Sequence, residues 1–151
     1  MIDVCPVGAL NNKPYRYSAR AWEMTQVSTV SPHDCVGTNL YAHVLRGTVK
    51  RIVPRDNEAI NETWIPDRDR FSYEAIYSDE RLTRPMIREG DGDWQETDWE
   101  TALTVAANAL SESGSDLGVL ASPSMTVEEQ FLLRGITQHV GCPNVDYRLG
   151  Q

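Results

Sequence analysis

A cysteine near the start of the chain lies in a sequence that is typical of an iron–sulfur ligand. Cys5 is followed by Pro6 and then by Val-Gly-Ala-Leu, and we call residues 5–10 the Cys5 loop. In ferredoxin-type sites the thiolate is the ligand, and the proline turns the chain away from the cluster edge. A 4Fe–4S cluster takes four thiolates, whereas this chain has three cysteines in all. We therefore expect the partner ligands of Cys5 to lie upstream of residue 1 in a longer protein.

A second group of positions has the spacing of a cluster-binding segment but not its residues. Ser28, Ser31 and Cys35 follow the rhythm C-x2-C-x3-C, and Pro66 lies where a fourth cysteine is expected. A serine hydroxyl is a poor ligand for a soft-metal site at neutral pH, and proline has no ligand atom. We call these four positions the second site and predict that it holds no cluster.

A zinc site is the alternative use of this region, with Cys35, His33, His43 and an acidic residue as candidate ligands. Zinc needs four converging nitrogen, sulfur or oxygen ligands. His33 and Cys35 are only two positions apart, and no further ligand has suitable spacing, so we expect no zinc. We interpret Cys35 as a residue of a small core. Cys142 is interpreted as a small buried thiol.

The sequence contains no recognisable catalytic constellation. It lacks G-x-S-x-G, H-E-x-x-H, a Walker loop and G-x-G-x-x-G, and no nucleophile has a base beside it. His139, close to the end of a predicted helix, is interpreted as a surface residue that complements the helix dipole. We predict no catalytic residue and no organic-cofactor-binding residue.

The bulk composition excludes several kinds of partner. The 151 residues are 40% apolar, enough for one domain or two small ones, and their formal net charge is −8. An acidic chain without a run of lysine or arginine is unsuited to nucleic acid or anionic lipid. Its apolar stretches are too short for a membrane span. We expect a cytosolic setting, with no nucleic-acid partner and no direct membrane insertion.

The first half of the chain predicts a small β-rich domain. Strands are predicted at 39–45 and 48–53, and Arg46-Gly47 between them suits a tight turn because glycine readily adopts positive φ. Residues 13–20 are basic and aromatic, and they need a neighbour to pack on. Residues 55–85, which include Asp69 and Arg70, carry mixed charges. We interpret them as a solvated surface rather than a partner-recognition site.

The last third of the chain predicts a βαβ unit. Thr97 and Thr126 each precede a glutamate by three positions, as in the capping box that begins a helix. Residues 117–121 are a continuous apolar run, typical of a buried parallel strand, and 144–147 predict a second strand. We expect the second helix to bury an apolar face that consists of Leu132, Leu133, Ile136 and Val140. One βαβ unit cannot bury its own faces, so we expect the α/β domain to continue beyond residue 151.

Further motifs follow the Cys5 loop in a characteristic order. They are Lys13-Pro-Tyr-Arg-Tyr-Ser-Ala-Arg-Ala-Trp-Glu23, Val44-x-x-Gly47-x-Val49-x-Arg51-Ile-x-Pro54, Asp79-Glu-Arg-Leu-Thr-Arg-Pro85, and Gly92-Asp-Trp94 with Asp98-Trp-Glu-Thr-Ala-Leu103. Together they resemble the large iron–sulfur subunit (the G subunit) of bacterial NADH:quinone oxidoreductase, respiratory complex I, including its molybdopterin-oxidoreductase-like region.

The resemblance implies that Cys5 is the last ligand of a 4Fe–4S cluster on the electron path from NADH toward quinone in the full-length protein. It also implies that Ser28, Ser31, Cys35 and Pro66 correspond to the ligands of a further 4Fe–4S cluster, lost here, so the chain by itself is expected to hold none. The implied partners are other peripheral-arm subunits of complex I, at the cytoplasmic side of the membrane. The enzyme would be the whole complex, and the isolated chain is expected to be inactive.

We predict an α+β chain in three parts. Residues 1–20 are the tail of a ferredoxin-type iron–sulfur domain, 21–85 a small, β-rich, degenerate molybdopterin-oxidoreductase-type 4Fe–4S domain, and 86–151 the truncated start of an α/β molybdopterin-oxidoreductase-like domain. Two alternatives stay open. The chain could derive from a molybdopterin-dependent oxidoreductase such as a formate dehydrogenase, which an intact C-x2-C-x3-C group would favour. It could also be a scaffold without a redox role, which the lack of a C-x2-C-x2-C group upstream of Cys5 would favour.

Overall fold

The computed structural model describes residues 1–88 and 90–147, and the chain divides into two compact units, Met1–Asp79 and Glu80–Gln151. The first unit contains β1 (Thr25–Val30), β2 (Asn39–Leu45), β3 (Thr48–Pro54) and the short helix α1 (Asp67–Phe71). The second contains β4 (Met86–Ile87), β5 (Gln95–Glu96), α2 (Trp99–Ser113), β6 (Gly118–Leu120), α3 (Val127–Val140) and β7 (Asn144–Asp146). The domain boundaries at 20/21 and 85/86 stay predictions.

The first unit is built on a three-stranded antiparallel sheet in the order β1-β2-β3. The tight turn between β2 and β3 is present as predicted. Arg46 has φ +51° and Gly47 has φ +78°, the two successive positive φ values that a two-residue hairpin turn of the favoured twist requires.

The core of this unit is small. It consists of Leu40 from β2, Ile52 from β3 and Tyr73 from the 3-10 turn Ser72–Tyr77 that follows α1. The Tyr73 hydroxyl donates a hydrogen bond of 2.9 Å to the carbonyl of Lys50 on β3. Because few apolar side chains are buried, polar contacts contribute much of what holds the loops to the sheet.

The second unit contains the predicted βαβ arrangement. β6 and β7 are parallel, with Val119 opposite Val145, and α3 lies between them in sequence. The Thr126 capping box is confirmed, since its hydroxyl accepts from the amide of Glu129 at 3.2 Å and the Glu129 carboxylate accepts from the Thr126 amide at 2.8 Å. A small antiparallel sheet followed by an α/β region confirms the predicted fold class.

Two details of the second unit differ from the prediction. The N-cap of α2 is Asp98 rather than Thr97, because the Asp98 carboxylate accepts from the Thr101 amide at 2.8 Å and shifts the helix start by one residue. The predicted apolar face of α3 is only partly covered: Leu132 is 62% and Ile136 is 47% exposed, whereas Leu133 and Val140 are half-buried. A two-stranded sheet is too narrow to cover the face of a helix of this length.

No helix among the described residues combines the length and the apolar character that crossing a membrane requires.

Candidate metal centre

The Cys5 loop folds its own backbone around the cysteine sulfur. The amide of Leu10 donates to Cys5 Sγ at 3.5 Å, and the amide of Gly8, at φ +65°, donates to the Cys5 carbonyl at 3.4 Å. The Leu10 amide lowers the pKa of the Cys5 thiol, and together with the amides of Val7, Ala9 and Gly8 it outweighs the opposing effect of burial. The loop therefore favours the thiolate, which is the form that binds metal.

An ion pair holds the chain just before this loop. The guanidinium of Arg70, in α1, binds both carboxylate oxygens of Asp3 with two nitrogens, one of them at 3.2 Å. The Arg70 side chain is only 6% exposed and that of Asp3 is 21% exposed. Such a two-nitrogen fork is a strong and directional contact.

A second contact holds the chain after the loop. The Arg51 guanidinium, on β3, lies over the ring of Tyr15 with 4.5 Å between its carbon and the ring centre. The Arg51 Nε donates to Nδ1 of His43 on β2 at 3.0 Å. The basic, aromatic segment that needed a neighbour therefore packs on the sheet of the first unit.

Ser31, in the second site, is engaged in protein hydrogen bonds. It is 6% exposed, and its hydroxyl donates to the Asp69 carboxylate at 2.7 Å while accepting from the amide of His33 at 3.0 Å. Asp69 is 2% exposed. The Ser31 hydroxyl thus links the end of β1 to α1.

The other three positions of the second site have different surroundings. Ser28 is exposed on β1, opposite Tyr41 of β2. Pro66 is the N-cap of α1, and its carbonyl accepts from the amides of Asp69 and Arg70. The described contacts tie Ser31 to the helix that Pro66 begins, and they do not bring in Ser28.

Cys35 is exposed, so its interpretation as a core residue is wrong. The reason lies in the neighbouring turn, where Asp34 accepts from the amides of Gly37 at 2.8 Å and Val36 at 3.1 Å and directs the chain outward. Burial raises the pKa of Asp34, but hydrogen bonds from the Thr38 hydroxyl and from the turn amides outweigh it and lower the pKa.

The histidines that are candidate zinc ligands make other contacts. His33 Nε2 is 2.9 Å from the Ser72 hydroxyl at the end of α1. His43 is 4% exposed and accepts from Arg51. Within residues 1–88 and 90–147, no three histidine, cysteine, aspartate or glutamate side chains are close enough together to hold a metal ion.

The two candidate cluster positions therefore differ in their fit to a 4Fe–4S group. Cys5 offers a thiolate-favouring loop and would supply one of four ligands. The second site offers two hydroxyls, one exposed thiol and a proline, and the hydroxyl of Ser31 is already bonded to a carboxylate. Iron in a cluster prefers thiolates, so this donor set does not fit the group.

The burial of Asp69 and Arg70 in the first unit is not apparent from the sequence. The mixed charges around Asp69 and Arg70 predict a solvated surface, but these two residues are 2% and 5% exposed. Charges alternate around these two residues as they do in exposed segments, so the charge pattern does not reveal their burial. The one sequence signal is that both residues follow shortly after Pro66 of the second site. Cys142 is buried, as predicted, and its thiol donates to the Leu117 carbonyl at 3.0 Å.

Two family models match the chain. Residues 24–74 match the NADH-ubiquinone oxidoreductase NDSU1/NuoG-like 4Fe-4S domain, and residues 81–151 match molybdopterin oxidoreductase. The first match covers the sheet, the second site and α1. The second covers the βαβ unit.

Whole-chain comparison gives a consistent result. The chain is 41% identical over 155 aligned residues to the NADH-quinone oxidoreductase G subunit of Rickettsia conorii (strain ATCC VR-613 / Malish 7), an alignment that covers 99% of this chain and 23% of that protein. It is 38% identical to the same protein of Rickettsia bellii (strain RML369-C), with 99% and 22% covered, and 40% identical to that of Rickettsia felis (strain ATCC VR-1525 / URRWXCal2), with 95% and 21% covered.

The chain thus spans less than a quarter of the length of these relatives. The shared name of these relatives supports the predicted resemblance to the G subunit of NADH:quinone oxidoreductase. It supports that interpretation over a formate-dehydrogenase-like enzyme and over a scaffold without a redox role. The chain is a relative of one segment of the NADH-quinone oxidoreductase G subunit, and its match to the NDSU1/NuoG-like 4Fe-4S domain is followed by its match to molybdopterin oxidoreductase.

Proposed function

We propose that this chain is part of an electron-transfer subunit in which Cys5 is one of four thiolate ligands to a 4Fe–4S cluster. The observation that carries the proposal is the Cys5 loop, whose Leu10 amide points at the sulfur and lowers the pKa of the thiol. Amide hydrogen bonds to cysteine sulfur also stabilise the extra negative charge of a reduced cluster.

In the full-length protein, a cluster held in part by Cys5 would supply one-electron transfer between NADH and quinone. The residues of this chain would hold and orient the cluster. Cys5 would hold one iron, Pro6 would turn the backbone away, and the amide of Leu10 would orient the sulfur. No residue of the segment is proposed to bind NADH or quinone, so its own role is mainly structural.

The second site is proposed to hold no cluster and to act through protein hydrogen bonds alone. Three features support this assignment: Ser31 is hydrogen-bonded to Asp69, Cys35 is exposed, and Pro66 has no ligand atom. We further propose that the partners are the other subunits of a complex I peripheral arm on the cytoplasmic side of the membrane.

Iron analysis and electron paramagnetic resonance on the full-length protein test both assignments. Replacing Cys5→Ser should remove or strongly alter one cluster signal, while Cys35→Ser should leave every signal and the iron content unchanged. A wild-type spectrum in Cys5→Ser would refute the ligand role of Cys5. Loss of iron in Cys35→Ser would refute the cluster-free second site.

A further inference from the structure

We propose that the second site has a present task, which is to position the ligand Cys5 through helix α1. The contacts run from Ser31 to Asp69, along the backbone of α1 to Arg70, and from Arg70 to Asp3, two residues before Cys5. This inference rests on the proposed ligand role of Cys5, and it assigns Ser31, Asp69 and Arg70 as positioning residues.

Helix α1 depends on contacts with the rest of the unit. It is five residues long, and its N-cap Pro66 makes no side-chain cap hydrogen bond. A helix this short is not stable by itself, because nucleation costs more than a single turn of hydrogen bonds returns. Contacts to other parts of the chain must therefore fix its place and orientation.

Ser31 of the second site and the nearby His33 provide those contacts on one side of the helix. Ser31 binds Asp69 within the helix, and His33 binds Ser72 at its C-cap. A metal cluster bound at the second site would connect the end of β1 with the start of α1, because its ligands would come from both segments. The hydrogen bonds of Ser31 and His33 connect them without metal.

The neighbouring residue carries the connection to the Cys5 loop. Successive residues of a helix project about 100° apart, so Asp69 and Arg70 reach different neighbours. Asp69 meets the end of β1, and Arg70 meets Asp3. Asp3 lies at most about 7 Å of extended chain from Cys5, so a displaced Arg70 would move the ligand loop with it.

Arg51 and Arg70 lie close to the Cys5 loop. A cavity of about 210 Å³ is lined by Gly8 and Leu10 of the loop, together with Arg51, Arg70 and Asp3. Positive charge near a cluster stabilises its reduced form and raises its reduction potential, and an unpaired carboxylate does the opposite. The Asp3–Arg70 pair therefore affects both the position of the sulfur and the local charge.

The test uses the full-length protein with its clusters and two measurements. Hydrogen–deuterium exchange reports the order of residues 3–10, and redox titration followed by electron paramagnetic resonance reports the potential of the Cys5-dependent cluster. Ser31→Ala should speed exchange in residues 3–10, whereas Ser28→Ala, at an exposed position of the same site, should not. Arg70→Gln should speed that exchange by about tenfold or more, the effect expected from loss of a charge-assisted hydrogen bond.

The potentials separate positioning from general loss of stability. Arg70→Gln should lower the potential and Asp3→Asn should raise it, since the first removes a cation and the second removes an anion. If Arg70→Gln does not fold, Arg70→Lys keeps the charge but loses the fork, and should speed exchange while the potential stays near that of the wild type. In every variant except the Ser28→Ala control, exchange should speed up more in residues 3–10 than in β2.

Any of three outcomes would overturn the inference. The first is that Ser31→Ala leaves exchange in residues 3–10 at the wild-type rate, and the second is that Arg70→Gln and Asp3→Asn shift the reduction potential in the same direction. The third is that exchange in β2 speeds up as much as exchange in residues 3–10. Its failure is distinguishable from failure of the proposed function. In the former case a Cys5-dependent cluster is present but does not respond to these variants as stated, and in the latter Cys5→Ser leaves all signals intact.

Discussion

The hydroxyl of Ser31 donates a 2.7 Å hydrogen bond to the carboxylate of Asp69, which lies 38 residues further along the chain. Both side chains are buried. This contact occupies a position where the spacing of a cluster-binding segment would place a cysteine. At this position the chain thus has a hydrogen-bond donor to a buried carboxylate.

The first prediction concerns that hydrogen bond. Ser31→Ala removes the donor to Oδ1 of the buried Asp69 carboxylate, whose Oδ2 already lacks a hydrogen-bond partner among the described residues. Losing a partner of a buried polar group costs about 1–3 kcal/mol. Urea unfolding of the chain should show this loss in the first unit. Ser28→Ala, on the exposed face of β1, should change the free energy of unfolding by less than about 0.5 kcal/mol, and equal losses in both variants would contradict the prediction.

A second prediction follows from His43. Burial, followed by the nearby positive charge of Arg51, lowers the pKa of His43 below its ordinary 6.5. The unfolded chain therefore binds a proton at higher pH than the folded chain does. The stability contribution is complete above about pH 6.5 and is lost as the pH falls toward the pKa of the folded state.

The measurement is the free energy of unfolding between about pH 7.5 and about pH 5, a window around the ordinary histidine pKa. His43→Gln keeps a possible acceptor for Arg51 but removes the titration, so its stability should fall less steeply with acidity. His139→Gln, at an exposed position of α3, serves as the matched control. A His43→Gln profile as steep as that of the wild type would count against the assignment.

A third prediction compares the three thiols. Cys5 has a lowered pKa, Cys35 is exposed and Cys142 is buried. Because the thiolate is the reactive form, iodoacetamide at neutral pH should modify Cys5 first, Cys35 next and Cys142 last. Peptide mass spectrometry over time measures the order in the metal-free chain. In urea the three rates should converge, and a fast Cys142 under native conditions would be inconsistent with its hydrogen bond to Leu117.

A fourth prediction tests the start of α3. Thr126→Ala removes the hydroxyl that accepts from the Glu129 amide, and should destabilise the second unit by about 1 kcal/mol. Thr126→Ser retains the hydroxyl and should recover most of that loss. Thermal unfolding followed by circular dichroism compares the two. Equal stability of the alanine and serine variants would show that the cap does not stabilise the helix.

The sequence by itself determined the features that depend on neighbouring residues. The Arg46-Gly47 turn needs positive φ, the Thr126 capping box needs a glutamate three positions on, and the βαβ order follows from alternating patterns. The chemistry of the second site was also readable, because Ser28, Ser31 and Pro66 are not thiolates whatever the fold.

Only the tertiary structure decided which distant groups meet. The sequence around Asp69 and Arg70 indicates surface charges, and their burial against Ser31 and Asp3 depends on how loops 38 and 67 residues away fold over α1. The sequence around Cys35 indicates a core residue, yet the Asp34 turn places it outside. Local patterns specify helices, turns and ligand types, whereas burial and pairing of charges depend on long-range packing that no short window of sequence contains.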